Sequence, residues 1–113
     1  MKEKEFEQIL HQRLKKIEET LGNKAKEYAA EGDKLHNFNV GARMTGQIRE
    51  RVLWGFALKH YISFMDILDD MELGKLPSEA MVDEKIGDLI NYLVLVEASI
   101  KDKINKQQHD RQY

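Results

Sequence analysis

"VLWGFALKHYISFMDILDDM", residues 52–71, decides the fold. Val52, Leu53, Trp54, Phe56, Leu58, Tyr61, Ile62, Phe64, Met65, Ile67 and Leu68 cover nearly every direction of a helix, the pattern of a helix buried on most sides. The polar exceptions are ordered. At about 100° per residue, Lys59, Ser63, Asp66 and Asp70 fall inside a wedge of roughly 60° and form one narrow stripe. The residue pattern predicts this helix over about Gln47–Glu72, with Thr45 as a cap and a stop before Gly74 and Pro77.

Downstream, "DEKIGDLINYLVLVEASI", residues 83–100, repeats the arrangement. Glu84, Asp88 and Asn91 are spaced i, i+4, i+7, as are Lys59, Ser63 and Asp66, and Tyr92 flanks them. Ser78 or Asp83 is the expected cap, and the helix is expected to end near Lys106, leaving 107–113 as a frayed tail. Upstream, Phe6, Leu10, Leu14, Ile17, Leu21, Ala25 and Tyr28 recur at steps of three and four, predicting an amphipathic helix from about Glu3 to Ala30. Gly22 interrupts it without shifting the phase, so a weak point or slight bend is expected there, with a clean break as the alternative. The stretch 31–46 loses the long periodicity, contains three glycines, and reads as a connector with one short helix between Leu35 and Arg43.

No segment alternates with period two for long enough to build a sheet, and no repeat has a solenoid period. The expectation is an all-α antiparallel bundle of three long helices and a short one, in a single domain over residues 1–106. A lone helical unit of 113 residues buries only about two-thirds of its unfolded surface, so helices apolar on most sides ask for a partner chain. A homo-oligomer is therefore expected.

The chain carries 18 basic and 20 acidic residues, a formal charge of -2, mixed along its length. No polybasic arm announces a nucleic-acid partner, and no run approaches the roughly 18 apolar residues of a membrane span. The absence of cysteine excludes disulfides and thiolate metal sites. The charged start, MKEKEFEQ, lacks the apolar run of a signal peptide, so a cytoplasmic protein is the simplest expectation.

If the two apolar helices pack antiparallel, their polar stripes can face one another across a groove, with Asp66 and Asp70 near Glu84 and Asp88, and Lys59 deeper, towards Asn91. The alternative is a structural or solvent-facing stripe, since acids favour a first helical turn and Lys59 can pair with Asp66 or Asp88. Against it stands the apolar surround, because an unpartnered buried charge costs several kcal/mol. The connector adds Asp33, Lys34, His36, Asn37 and Arg43 as polar candidates and Phe38 as a face for stacking a base.

"EKIGDLINYLVLVEA" resembles the third-helix segment of MazG-like all-α nucleotide pyrophosphohydrolases, whose pattern is roughly E-E-x-G-D followed by an apolar run. Small phage-encoded helical proteins related to that superfamily also look like this chain. They share a "KH..S..D" helix (Lys59, His60, Ser63, Asp66), an "EK..D..NY" helix (Glu84, Lys85, Asp88, Asn91, Tyr92) and an upstream "NF" (Asn37, Phe38), over about residues 24–104. In the hydrolases, the resemblance implies, E-E-x-x-E and E-x-x-D hold magnesium ions that bridge the nucleotide phosphates. Here Lys59, His60 and Ser63 stand where the first motif is sought, and Lys85 where the second begins, leaving Asp88 as its match.

Cationic or neutral donors in those places can contact phosphate directly. The expectation is a phage or prophage nucleotide-binding protein that does not hydrolyse its ligand, needs no cofactor, and acts in the host cytoplasm as a sponge for a defence signalling nucleotide, linear or cyclic. In that reading Lys59, His60 and Arg43 handle phosphate, and Ser63 and Asn91 give hydrogen bonds. Asp66 or Asp88 reads base or ribose, and Phe38, Trp54 or Tyr92 stacks. One alternative is a divergent magnesium-dependent nucleoside triphosphate pyrophosphohydrolase with Asp66, Asp70, Glu84 and Asp88 around the metal. Another is a helical protein-interaction module in which the stripes set register.

Overall fold

In a computed structural model that describes residues 1–24 and 33–111, every regular element is helical. The first is α1 (Glu3–Ile17), which runs on into a π-helical stretch over Glu18–Lys24, followed by α2 (His36–Thr45), α3 (Arg49–Glu72) and α4 (Glu79–Arg111). The irregular stretch falls around Gly22, where the weak point was expected, because glycine stabilises helical backbone least among the ordinary residues. The rest of the predicted first helix, with Ala25, Tyr28 and Ala30, lies outside the described residues.

The start of α3 and the end of α4 differ from expectation. Thr45 does not cap α3: its hydroxyl donates to the Gly41 carbonyl at 2.7 Å, ending α2, and the residue before α3 is Ile48, with no side-chain cap. Gly46, at φ 68°, then makes the turn in a left-handed conformation that other residues resist. α4 runs past Lys106, where it was expected to end, and continues to Arg111. Ser78 caps α4 as expected, its hydroxyl accepting from the Met81 N–H at 3.1 Å.

The α3–α4 pair is the backbone of the fold. Gly74, at φ 84°, closes α3, with the Lys75 N–H bonded to the Asp70 carbonyl, and the short link to Ser78 returns the chain antiparallel. Leu53 and Ala57 are fully buried along the seam, joined by Ile67, while Leu35 from the connector closes the end near α2. On α4 a polar residue, Ser99, is fully buried. α1 crosses α4 at Gly87, where a Cβ would lie 2.6 Å from an Arg13 guanidinium nitrogen, so only glycine leaves that nitrogen its seat.

The core is small. α1 has no buried residue, and Phe6, Leu10 and Leu14, its predicted apolar stripe, are exposed. Trp54, Leu58, Tyr61, Ile62 and Met65 of α3 are exposed too, so the helix expected to be covered on most sides is covered on one within a single chain.

Candidate functional site

Arg49 begins α3 on the face that carries Leu53 and Ala57, so its guanidinium is carried into the seam and is only 8% exposed. A buried guanidinium needs acceptors for its fixed fork of donors, and four groups supply them. Nε donates to the Ser99 hydroxyl at 2.6 Å, Nη1 to the Asn39 side-chain carbonyl at 3.0 Å, and Nη2 to both the Ser99 carbonyl and the Asp102 carboxylate at 3.1 Å. The Ser99 hydroxyl in turn donates to the Glu50 carboxylate, which also accepts from Lys103, and Asn39 donates to Asp33 at 3.1 Å. Burial alone would raise the Glu50 carboxyl, but the hydrogen bonds from Lys103 and Ser99 outweigh it and hold the pKa below the usual value. Asp102 is held low by Lys106 first and Arg49 second.

This network forms one wall of a cavity of about 760 Å³, within the size range of small-molecule sites. Leu21, Leu35, Phe38, Val94, Leu95 and Ala98 make its apolar lining. Its polar lining includes Lys34, His36, Asn37, Arg49, Asp102 and Lys106, together with Thr20, Asn39 and Asp33, which fixes the connector by accepting from the Leu35 N–H at 2.9 Å.

From Phe38 a row of rings leads along the α3–α4 seam. Phe38 meets Phe56 edge-on at 6.0 Å between centroids, Phe56 stacks on Tyr92 at 6.0 Å, and Tyr92 stacks on His60 at 5.1 Å. His60 Nδ1 lies 3.4 Å from an Asp88 carboxylate oxygen. Tyr92 is pushed above its ordinary pKa by burial first and by the Asp88 charge second, since both disfavour a phenolate.

Beside this cluster, Asp88, Asn91 and Glu84 face α1 across a cleft of about 150 Å³ shared with Arg13, Lys16 and Thr20. Asn91 Oδ1 is buried and accepts no hydrogen bond from the described residues. Buried acceptors are nearly always satisfied, so this one marks a place for a donor. Thr20 lines both the cleft and the larger cavity, and the lining residues Asp88, Asn91, Leu95 and Ala98 lie along one side of α4.

Of the residues singled out from sequence, the fold brings together His60, Asp88, Asn91 and Tyr92, with Glu84 at the mouth, and sets His36, Asn37 and Phe38 around the cavity. It leaves others out. Lys59, Asp66 and Asp70 are exposed, because the apolar line Leu53–Ala57–Ile67 packs on α4 and turns the polar stripe outwards, so Lys59 does not lie deep beside Asn91. Ser63 donates to the Lys59 carbonyl at 3.2 Å on its own helix. Arg43 points to solvent near the end of α2, outside the cavity lining, and Trp54 is exposed on another face of α3. Asp66, Asp70, Glu84 and Asp88 do not assemble: among the described residues no group of three acids or histidines converges to hold a metal ion.

Sequence reasoning passed over Arg49, Glu50, Asn39, Ser99 and Asp102. One signal was available: Arg49, Leu53 and Ala57 share a face at i, i+4, i+8, and Ser99 interrupts an apolar run, so an arginine and a hydroxyl sit where side chains should be apolar. No family model, curated protein or solved structure matches this chain.

Proposed function

We propose that this chain is a nucleotide-binding protein that holds its ligand without hydrolysing it, and that it works as a homo-oligomer. The observation that carries the reading is the cavity of about 760 Å³, which has apolar walls for a base and Lys34, His36 and Lys106 for anionic groups. Asn91 Oδ1 supports it as an acceptor in need of a donor such as a base amino group or a ribose hydroxyl. Non-hydrolytic binding is favoured by the place of His60, whose Nδ1 lies 3.4 Å from an Asp88 carboxylate oxygen, where the hydrolase pattern would set a metal. In a phage-encoded setting, which the resemblance implies, such a protein sequesters a host defence nucleotide in the host cytoplasm.

Isothermal calorimetry with a panel of linear and cyclic nucleotides, with and without magnesium, tests this. Binding that does not depend on magnesium, weakened tenfold or more by Lys34→Ala or Phe38→Ala and unaccompanied by phosphate or pyrophosphate release, is the expected result. Absence of binding across the panel refutes the ligand class, and magnesium-dependent release of pyrophosphate refutes the non-hydrolytic part.

A further inference from the structure

The chain exposes 9018 Å², whereas a folded monomer of 13.2 kDa exposes about 6,400 Å². The excess, about 2,600 Å², is as large as a whole obligate interface, to which each partner gives roughly 1,000 Å² or more. Much of the exposed apolar surface lies on one side of the α3–α4 pair.

On α3, Trp54, Leu58, Tyr61 and Met65 stand about 100° further round than the seam residues Leu53, Ala57, His60 and Ile67. On α4, Ile86, Leu89, Leu93, Val96 and Ile100 stand about 100° further round than Asp88, Tyr92 and Ser99, which meet α3. In antiparallel helices, equal rotations away from the shared seam turn to the same side. Both stripes therefore form one face, opposite the side on which α1 crosses Gly87. Trp54, Leu58, Tyr61, Met65, Leu93 and Ile100 are all exposed there.

We infer that a second copy of this chain covers this face, with a two-fold axis perpendicular to the helices at the level of His60 and Asn91. The spacing is that of a coiled-coil seam, with steps of four, three and four in α3 and three, four and three in α4 over Ile86–Val96. One axis satisfies both helices. Antiparallel pairing of α3 with its copy sets Leu58 against Tyr61 and Trp54 against Met65, and the same operation on α4 sets Leu89 against Leu93 and Ile86 against Val96. The two centres of symmetry, near residue 60 on α3 and residue 91 on α4, lie side by side in the chain, where His60 meets Asp88 and Tyr92. The same register brings Arg51 of one copy towards Asp69 of the other, and neither has an ion-pair partner among the described residues of its own chain. The product is a four-helix core, with the cavity and cleft left open on the outer sides.

This rests on the oligomeric part of the proposed function and is independent of the ligand. Light scattering on the full chain should give a mass at least twice 13.2 kDa, and Leu58→Asp with Leu93→Asp should halve it or reduce it to the monomer while the helical circular dichroism is kept. The chain has no cysteine, so engineered ones report the register. A co-refolded mixture of Trp54→Cys and Met65→Cys chains should cross-link on oxidation to dimer, and either alone, with its two cysteines about 16 Å apart along the helices, should not. A monomeric wild-type chain would overturn the oligomer itself. A wild-type oligomer that the aspartate variants leave intact would overturn this face, and cross-linking of Trp54→Cys alone would overturn the antiparallel axis.

Discussion

The Arg49 guanidinium meets the Ser99 hydroxyl at 2.6 Å inside the seam between α3 and α4, at the one fully buried position of α4 among the described residues that is neither apolar nor glycine. Each residue makes sense only with the other. Ser99 leaves room for the guanidinium and accepts from it, and an aliphatic side chain in place of Arg49 would take the donor from the Asn39 side-chain carbonyl and one donor each from the Ser99 hydroxyl and the Asp102 carboxylate. Removing one member of a buried ionic network costs about 3–5 kcal/mol because the remaining charges lose their partner. Lys103 and Lys106 still serve Glu50 and Asp102, so Arg49→Met is expected to destabilise by about 3 kcal/mol, at the lower end of that range. Urea denaturation at one fixed chain concentration measures it, and Arg49→Lys should fall between, keeping the charge and losing the fork.

Acid should unfold the chain through the same network. Glu50 and Asp102 have folded pKa values below their ordinary ones, so their contribution is present above the unfolded carboxylate range and is lost as pH falls through the folded values. Stability is therefore expected to be level near neutrality and to fall from about pH 5 downwards. Glu50→Gln with Asp102→Asn should flatten the fall while lowering stability at neutral pH. A melting-temperature series across pH reads both effects, and an unchanged slope in the double variant would place the acid sensitivity elsewhere.

The crossing of α1 over α4 gives a third expectation. Arg13 reaches past Gly87 to the Asp83 carbonyl at 3.3 Å, and Lys16 lies 2.8 Å from the Asp83 carboxylate. In Gly87→Ala the new methyl meets only the end of a flexible arginine, which can swing aside. The gain of up to about 1 kcal/mol from replacing glycine in a helix is opposed by the loss of the exposed Arg13 contacts, so stability should stay close to that of the parent. Gly87→Leu cannot be accommodated that way and should release α1, seen as faster amide exchange over residues 5–17 with α3 still protected.

The helices were legible in the sequence because apolar periodicity, glycines at φ 68° and 84° and the Ser78 cap act locally. The site was legible in part, for a reason visible at Lys59. A helix apolar on most sides has several faces able to pack, and periodicity does not say which meets α4 in the chain. The Leu53–Ala57–Ile67 line does, so His60 at its edge reaches Asp88 while Lys59, one residue earlier, turns outwards. Arg49 was hidden because a lone arginine at the start of a helix reads as solvated until Ser99, distant in sequence, is placed opposite. The reading that α3 is covered on most sides also needs a second chain, since Trp54 and Leu58 remain exposed in one.

Tyr92 offers the last test, since it joins the aromatic row to His60 and Asp88. Its phenol is raised by burial and, second, by the Asp88 charge, so the midpoint of its ionisation should lie above that of ordinary tyrosines. Asp88→Asn removes the smaller cause and should bring the value part of the way down, leaving a residual elevation from burial. The difference between the alkaline absorbance titrations of the parent and Tyr92→Phe isolates this one phenol among the four tyrosines. The same comparison in Asp88→Asn gives the contribution of the charge. Because Tyr92 stacks on His60 at 5.1 Å, a nucleotide that displaces His60 from Asp88 should also move the Tyr92 titration, whereas one bound only beside Phe38 should leave it in place.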